Sequence, residues 1–291
     1  MLQTTPVTAS ATNNLLAGKR GIIFGIANDR SYASCIAKQI LAAGGQCAFT
    51  YLRLPDPKST EKMERRVRGA VEELGVKDPW LMPCDAGRDE DLDAVFHKLG
   101  NDFGTIDFVV HSIAFADRAF LDIGKFHTTS RAAWNQALDI SAYTLIAIAQ
   151  RAAKLMPAPL PPAGDNNQPA GGGGSIISMT YYGGEKVIPG YNIMGIAKSA
   201  LEHTTRYLAW ELGEKNIRVN TISGGPLRTL ASSAVGGIQE MFDLQKRKSA
   251  QRRNIDGDEV GNTAVYLLSD LASAVTGEVI HVDAGFSIVG L

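Results

Sequence analysis

The chain has 291 residues and a mass of 31.1 kDa, long enough for one sizeable core. Hydrophobic residues make up 45% and charged residues 20%, and a formal net charge of −1 excludes a polycation that holds nucleic acid by its long-range field. Cys35, Cys47 and Cys84 are too few for a disulfide scaffold and not spaced as a structural zinc site; a reduced, cytoplasmic setting is expected, and no apolar run is long enough to cross a bilayer.

Residues 1–16 are polar, short of charge and without the apolar stretch of a signal peptide. A loosely held tail is expected there, followed by a single domain over 17–291. Gly21–Gly25 (GIIFG) reads as a first buried strand, and Ser31–Ala43 as a helix with Ile36, Ile40 and Leu41 on one side, stopped by Gly44 and Gly45. Gln46–Leu52 is a second strand, Glu61–Leu74 a helix, Trp80–Cys84 a third strand, Asp89–Leu99 a helix and Ile106–His111 a fourth strand. Arg131–Met156 reads as one long, mainly helical stretch. Ser175–Met179 and Ile217–Ile222 are strands on either side of a helix over Met194–Leu212. A helix over Glu259–Ser269 and a strand over Glu278–Val282 close the series.

Strands separated by helix-length segments imply an α/β, three-layer Rossmann-type fold with a doubly wound parallel sheet. Two segments break the rhythm. Pro157–Gly174, rich in proline and glycine, reads as a surface excursion rather than a domain boundary, because the alternation resumes directly after it. Ser223–Asp256 starts with glycines and a proline and turns polar and partly helical. A flap over a ligand would look like this, as would an ordinary surface helix.

The first strand runs into Gly25-Ile26-Ala27-Asn28-Asp29-Arg30-Ser31-Tyr32-Ala33, which is not the simple three-glycine nucleotide fingerprint. It nevertheless lies between a buried strand and a helix, where free N–H groups suit a pyrophosphate. Asp85 ends the third strand, where it could accept from an adenine amine or serve as a turn residue. Ser112-Ile113-Ala114 follows the fourth strand with side chains small enough for a ribose and nicotinamide to lie against the backbone. The second strand ends Tyr51-Leu52-Arg53 without the carboxylate that would reject a 2′-phosphate.

The most informative stretch is Ile188-Pro189-Gly190-Tyr191-Asn192-Ile193-Met194-Gly195-Ile196-Ala197-Lys198. It pairs a tyrosine with a lysine seven residues on. With GIANDRSYA, CDA, HSIAFA, ISAY, RVNTISGGPLRTL and GEVIHVDAGFS, it resembles the enoyl-acyl carrier protein reductases of type II fatty-acid synthesis over Leu16–Val289. These are a divergent branch of the short-chain dehydrogenase/reductase family, and they use Tyr-x6-Lys where ordinary members use Tyr-x3-Lys. The resemblance implies reduction of a trans-2-enoyl thioester borne by acyl carrier protein, with NADH as the cofactor and NADPH left open. It implies catalytic roles for Tyr181, Tyr191 and Lys198. It implies cofactor contacts from Gly25, Ala27, Ser31, Tyr32, Asp85, Ala86, Ser112, Ile113, Ala114, Lys198, Gly225, Leu227 and Thr229. Ala116, Tyr181, Tyr191 and Met194 would line the substrate pocket, Tyr182 would pack, and a flap would span about 227–256. A homotetramer with 222 symmetry, without nucleic acid or membrane as partner, is implied as well.

The chemistry fits those residue types. Addition at the β carbon of an enoyl thioester builds negative charge on the thioester oxygen, and a phenol such as Tyr191 can donate to it. A cation at Lys198 would hold ribose hydroxyls and stabilise that charge. The sequence departs from the family where bacterial members place basic residues facing the carrier, for Gly236, Gln239 and Glu240 stand there. Lys246, Arg247, Lys248, Arg252 and Arg253 form a replacement cluster or a solvated surface. Ala250 falls where a proline is common. A carbonyl reductase of the wider family is the main rival. It finds a serine thirteen residues before the tyrosine, Ser178, but Gly195 where its lysine would stand. A nucleotide-binding scaffold without activity would be expected to have lost Tyr191 or Lys198.

Overall fold

A computed structural model describes residues 14–160, 171–227 and 238–290. The first half runs β1 (Arg20–Phe24), α1 (Tyr32–Ala42), β2 (Gln46–Tyr51), α2 (Pro57–Glu72), β3 (Leu81–Pro83), α3 (Asp89–Phe103) and β4 (Phe108–His111). The second half runs α4 (Arg131–Leu138), α5 (Thr144–Leu155), β5 (Gly174–Thr180), α6 (Asn192–Gly213), β6 (Ile217–Gly224), α7 (Ile238–Lys248), α8 (Gly257–Leu268) and β7 (Val279–Val282). The seven strands form one sheet in the order β3-β2-β1-β4-β5-β6-β7. Every neighbouring pair is parallel. The order reverses between β1 and β4, which opens a crevice at the carboxyl ends of those strands.

Strand alternation sends successive side chains into two cores. Ile23, Phe49 and Val110 meet Ile36 and Ile40 of α1 and Val260 and Leu267 of α8 on one face. Ile22, Phe24 and Val109 meet Leu92 and Val95 of α3, Leu145 and Ile148 of α5 and Leu201 of α6 on the other. Covering both faces is why these strands read as continuous apolar runs, and each buried side chain contributes about 1.5–3 kcal/mol. α1 and α8 approach closely because Gly261 carries no side chain: a Cβ there would lie 2.7 Å from the Cys35 carbonyl oxygen.

Three expectations change at their edges. Leu16, expected in the tail, belongs to the core: it is fully buried and its N–H donates to Ala43 O at 3.0 Å. The long helix over Arg131–Met156 is two helices joined by a π-helical turn at Asp139–Tyr143. There the Ser141 hydroxyl donates to Phe115 O at 3.0 Å and accepts from Phe115 N–H at 2.9 Å, which draws the turn out of the α-helical ladder. The excursion after α5 ends one residue sooner, because Gly174 already pairs with Ile217 in the sheet. Its neck is closed by Gly173 N–H donating to Pro157 O at 2.7 Å, at the amino end of β5. Residues 161–170 lie outside the described residues.

Candidate active site

The crevice is built for close backbone approach. Gly25 follows β1 with φ +96°, and a Cβ there would lie 2.0 Å from Ser112 O, so only glycine fits. Ser112 N–H donates to Phe24 O at 3.1 Å, which locks the two strand ends together. Ser31 caps α1, its hydroxyl accepting from Ser34 N–H at 3.2 Å, and no acidic residue occupies the first turn. The positive end of α1 therefore faces the crevice uncompensated, as a pyrophosphate requires. Ala27, Ile113 and Ala86 are half-buried around it, and Ala114 is exposed. Tyr32 donates its hydroxyl to Gly225 O, while Gly225 N–H donates to Val282 O at 2.8 Å. This ties the nucleotide end of α1 to the segment after β6, where Leu227 is half-buried. Asp85 turns back on itself, Oδ1 accepting from Gly87 N–H at 3.0 Å. Thr229 lies outside the described residues, as does most of the expected flap before α7.

Arg53, at the end of β2, is not a free cation. Its guanidinium donates to Oδ1 of the buried Asp91 at 2.7 Å, and the other oxygen of Asp91 accepts from Asp85 N–H at 2.9 Å. Arg88 lies 3.9 Å from the same carboxylate.

The tyrosines meet at the carboxyl end of β5. The rings of Tyr181 and Tyr191 stand edge to face with centroids 5.1 Å apart. Burial pushes the Tyr181 phenol up to about 12, with the Asp283 carboxylate adding to the shift. Burial, with Tyr181, Tyr32 and Glu202 near, raises the Tyr191 phenol further. Both phenols are thus held as proton donors, and neither hydroxyl is bonded to another described residue. Tyr182 packs edge-on against Phe286, centroids 5.8 Å apart, as expected of a packing residue. Ala116 and Met194 join one small apolar cluster against which Tyr191 packs.

Lys198 is 5% exposed. Its ammonium donates to Met179 O at 2.7 Å, its one hydrogen bond among the described residues. Two donors are left for a ligand, and a nucleotide's ribose hydroxyls suit them. Burial lowers Lys198 to about 8, partly opposed by Glu202 one helical turn on. The residues at the crevice and at Lys198 therefore fit a nicotinamide dinucleotide.

Three residues here escape a reading of the sequence. Glu202 is buried and accepts from the Thr180 hydroxyl at 2.6 Å; its only signal is the spacing of four from Lys198. His111 is buried neutral, burial and Lys198 pushing it down to about 3. Thr144 gives its proton to Ile140 O, so His111 Nε2 donates to Thr144 at 2.8 Å and Nδ1 is left without a partner. As the last residue of an apolar strand, His111 carries no signal of this partner in the sequence. Asn192 adopts φ +44° at the start of α6, which no local pattern announces.

The geometry also bears on the carbonyl-reductase alternative. Ser178 is fully buried and bonded to Thr221 at 2.7 Å, inside the sheet rather than in the cleft. A Cβ at Gly195 would lie 2.6 Å from Gly183 O, so no lysine fits there without displacing backbone.

The chain is similar to known proteins over most of its length. Residues 25–287 match the model of the family described as enoyl-(acyl carrier protein) reductase. The NADH-type enoyl-acyl-carrier-protein reductase FabI of Nostoc sp. is 45% identical over 276 residues, covering 95% of this chain and 99% of that one. A Bacillus cereus enoyl-acyl carrier protein reductase, solved with NADP+ and an indole naphthyridinone, superposes with a TM-score of 0.86 at 42% identity, covering 95% of this chain and 99% of that one. The Anaplasma phagocytophilum reductase, solved with NAD, gives 0.84 at 42% identity, covering 95% and 97%. With a Tyr-x6-Lys pair on a seven-stranded parallel sheet and matches of this extent, the chain belongs to the enoyl-(acyl carrier protein) reductase family.

Proposed function

We propose that this chain reduces the double bond of trans-2-enoyl thioesters carried on acyl carrier protein, completing a round of fatty-acid elongation. The observation that carries the reading is a free phenol at Tyr191, packed on Tyr181 at the start of the helix that carries the buried ammonium of Lys198, while Gly195 leaves no room for the lysine of a carbonyl reductase. When bound, the reduced nicotinamide supplies a hydride to the β carbon. Tyr191 donates from its hydroxyl to the thioester oxygen as negative charge grows there, and the enolate then takes a proton from solvent at the α carbon to give the saturated thioester. Lys198 stays charged below about pH 8, orients the ribose through its two remaining donors and favours the enolate electrostatically. Tyr181 walls the acyl side of the pocket and orients Tyr191 edge-on. Gly25, Ala27, Ser31, Tyr32, Asp85, Ala86, Ser112, Ile113, Ala114, Gly225 and Leu227 hold the nucleotide in this reading, together with Thr229.

NADH is the proposed cofactor, because Arg53 already has a carboxylate partner. The acyl carrier protein, an acidic partner, meets the exposed Lys246, Arg247 and Arg252 at the end of α7; Arg253 is committed to Glu259 at 2.6 Å. Tyr207, 62% exposed, and Trp210, 81% exposed, on α6 form an aromatic face suited to a homotetramer contact. The reaction is expected to take place in the cytoplasm, and no described helix is long and apolar enough to cross a membrane.

The test follows nicotinamide absorbance with a short trans-2-enoyl thioester and a 3-ketoacyl thioester, each with NADH and NADPH. Oxidation with the enoyl substrate alone supports the reading. Turnover of the keto substrate alone overturns it.

A further inference from the structure

Asn192 is the first residue of α6 and follows Tyr191 directly. Its φ of +44° lies in the left-handed region, although it opens a right-handed helix. A residue with a Cβ rarely takes this conformation, and asparagine tolerates it better than most. The compensation comes from about seventy residues earlier in the chain. The Asn192 amide Nδ2 donates to Phe120 O and to Asp122 O, both at 2.8 Å. Two carbonyl acceptors fix which end of the amide is nitrogen. They bracket Leu121, which is buried with Ala116, Ile193, Met194 and Ala197 in the cluster against which Tyr191 packs. One side chain thus fastens the loop after β4 to the turn that presents Tyr191.

That turn is held on both sides of Tyr191. Upstream, Tyr191 N–H donates to Ile188 O at 3.0 Å across Pro189 and Gly190, the glycine at φ +83°. Downstream, Met194 N–H donates to Tyr191 O at 3.0 Å. The left-handed step at Asn192 sits between these two anchors. A helical φ at this residue would rotate the preceding chain by roughly 100° and carry Tyr191 off Tyr181.

We propose that Asn192 is a positioning residue, whose amide, bonded to the Phe120 and Asp122 carbonyls, holds the left-handed step that aims the Tyr191 hydroxyl into the cleft. The proposal rests on the reading of Tyr191 as the proton donor. Asn192 touches no reacting atom and acts through Tyr191 alone.

The test uses the full chain as Asn192→Gly, Asn192→Asp and Tyr191→Phe. Glycine permits the left-handed step without steric cost but loses both donors that hold it. Aspartate keeps the shape and turns an acceptor toward two carbonyls. Thermal melts establish that each variant is folded, steady-state rates with a trans-2-enoyl thioester give kcat, and NADH fluorescence gives the dissociation constant. Both Asn192 variants are expected to lose kcat on the order of ten- to hundredfold while NADH binding stays within about twofold of wild type. A folded Asn192 variant with wild-type kcat overturns the proposal, and so does a parallel loss of NADH binding and kcat, which marks a general structural role. If Tyr191→Phe itself keeps full kcat, the tyrosine assignment fails. If Tyr191→Phe is crippled and the Asn192 variants are not, only this proposal fails.

Discussion

The Tyr191 ring lies so close over Gly183 that a Cβ at residue 183 would sit 2.4 Å from its Cδ1. The tyrosine is therefore bounded by backbone below, by the Tyr181 ring at its edge and by the apolar cluster with Met194 behind. Gly183→Ala is expected to displace the ring and lower kcat by roughly ten- to hundredfold, since small misplacements of a reacting group cost that much. NADH binding, measured by fluorescence, should hardly change, because Gly183 belongs to the turn after β5 rather than to the nucleotide crevice.

The alkaline side of the pH profile should belong to Lys198. Its value falls from the ordinary 10.5 to about 8 through burial, whereas both phenols are raised and remain protonated. The kcat/KM for NADH, which reports the groups of the free enzyme, is expected to decline as pH rises through about 8. Stability runs the other way. Between pH 8 and 10.5 the unfolded chain binds the lysine proton that the folded chain releases, so this group's destabilising contribution is fully present below about 8 and vanishes above 10.5. Lys198→Met should therefore abolish turnover yet melt higher at pH 7, by roughly 1–3 kcal/mol. A lower melting temperature at pH 7 would contradict this.

Arg53 and Arg88 both address the buried Asp91 carboxylate, at 2.7 and 3.9 Å. Asp91→Asn keeps an acceptor for Asp85 N–H and removes the negative charge. The Arg53 guanidinium would then lose its carboxylate partner at the end of β2, while Arg88 keeps Glu90 at 3.9 Å. The ratio of kcat/KM for NADPH to that for NADH is expected to rise by about tenfold, or 1.4 kcal/mol. An unchanged ratio in a folded variant would place the 2′ position elsewhere.

Charge reversal at the end of α7 separates carrier from chemistry. The double variant Lys246→Glu, Arg247→Glu should raise KM several-fold for an enoyl group on acyl carrier protein, more so at low salt. It should leave a pantetheine-linked substrate unaffected. Equal effects on both substrates would remove these residues from the docking surface.

Much of this site was legible because its chemistry is written at fixed spacing. Tyr191 and Lys198 are seven apart, and the strand-end residues Gly25, Asp85 and Ser112 follow from where apolar runs stop. What was illegible depends on partners distant in sequence. The π-helical turn at Asp139–Tyr143 follows Ser141 bonding to Phe115, and the left-handed Asn192 follows carbonyls at Phe120 and Asp122. Leu16 read as the end of a tail because most of the stretch before it is polar, yet it docks on Ala43. The carboxylate partner of Arg53 was invisible at the end of the second strand because Asp91 lies thirty-eight residues on, in a different element.

The most direct test of the Tyr191–Lys198 account is kcat of Tyr191→Phe with a trans-2-enoyl thioester, beside its NADH dissociation constant. Removing one hydroxyl from a ring that keeps its packing should lower kcat by about 10²–10³, the cost of losing an oxyanion donor, with NADH bound as in the wild type. A variant that turns over at the wild-type rate would contradict the account and require another donor to the thioester oxygen.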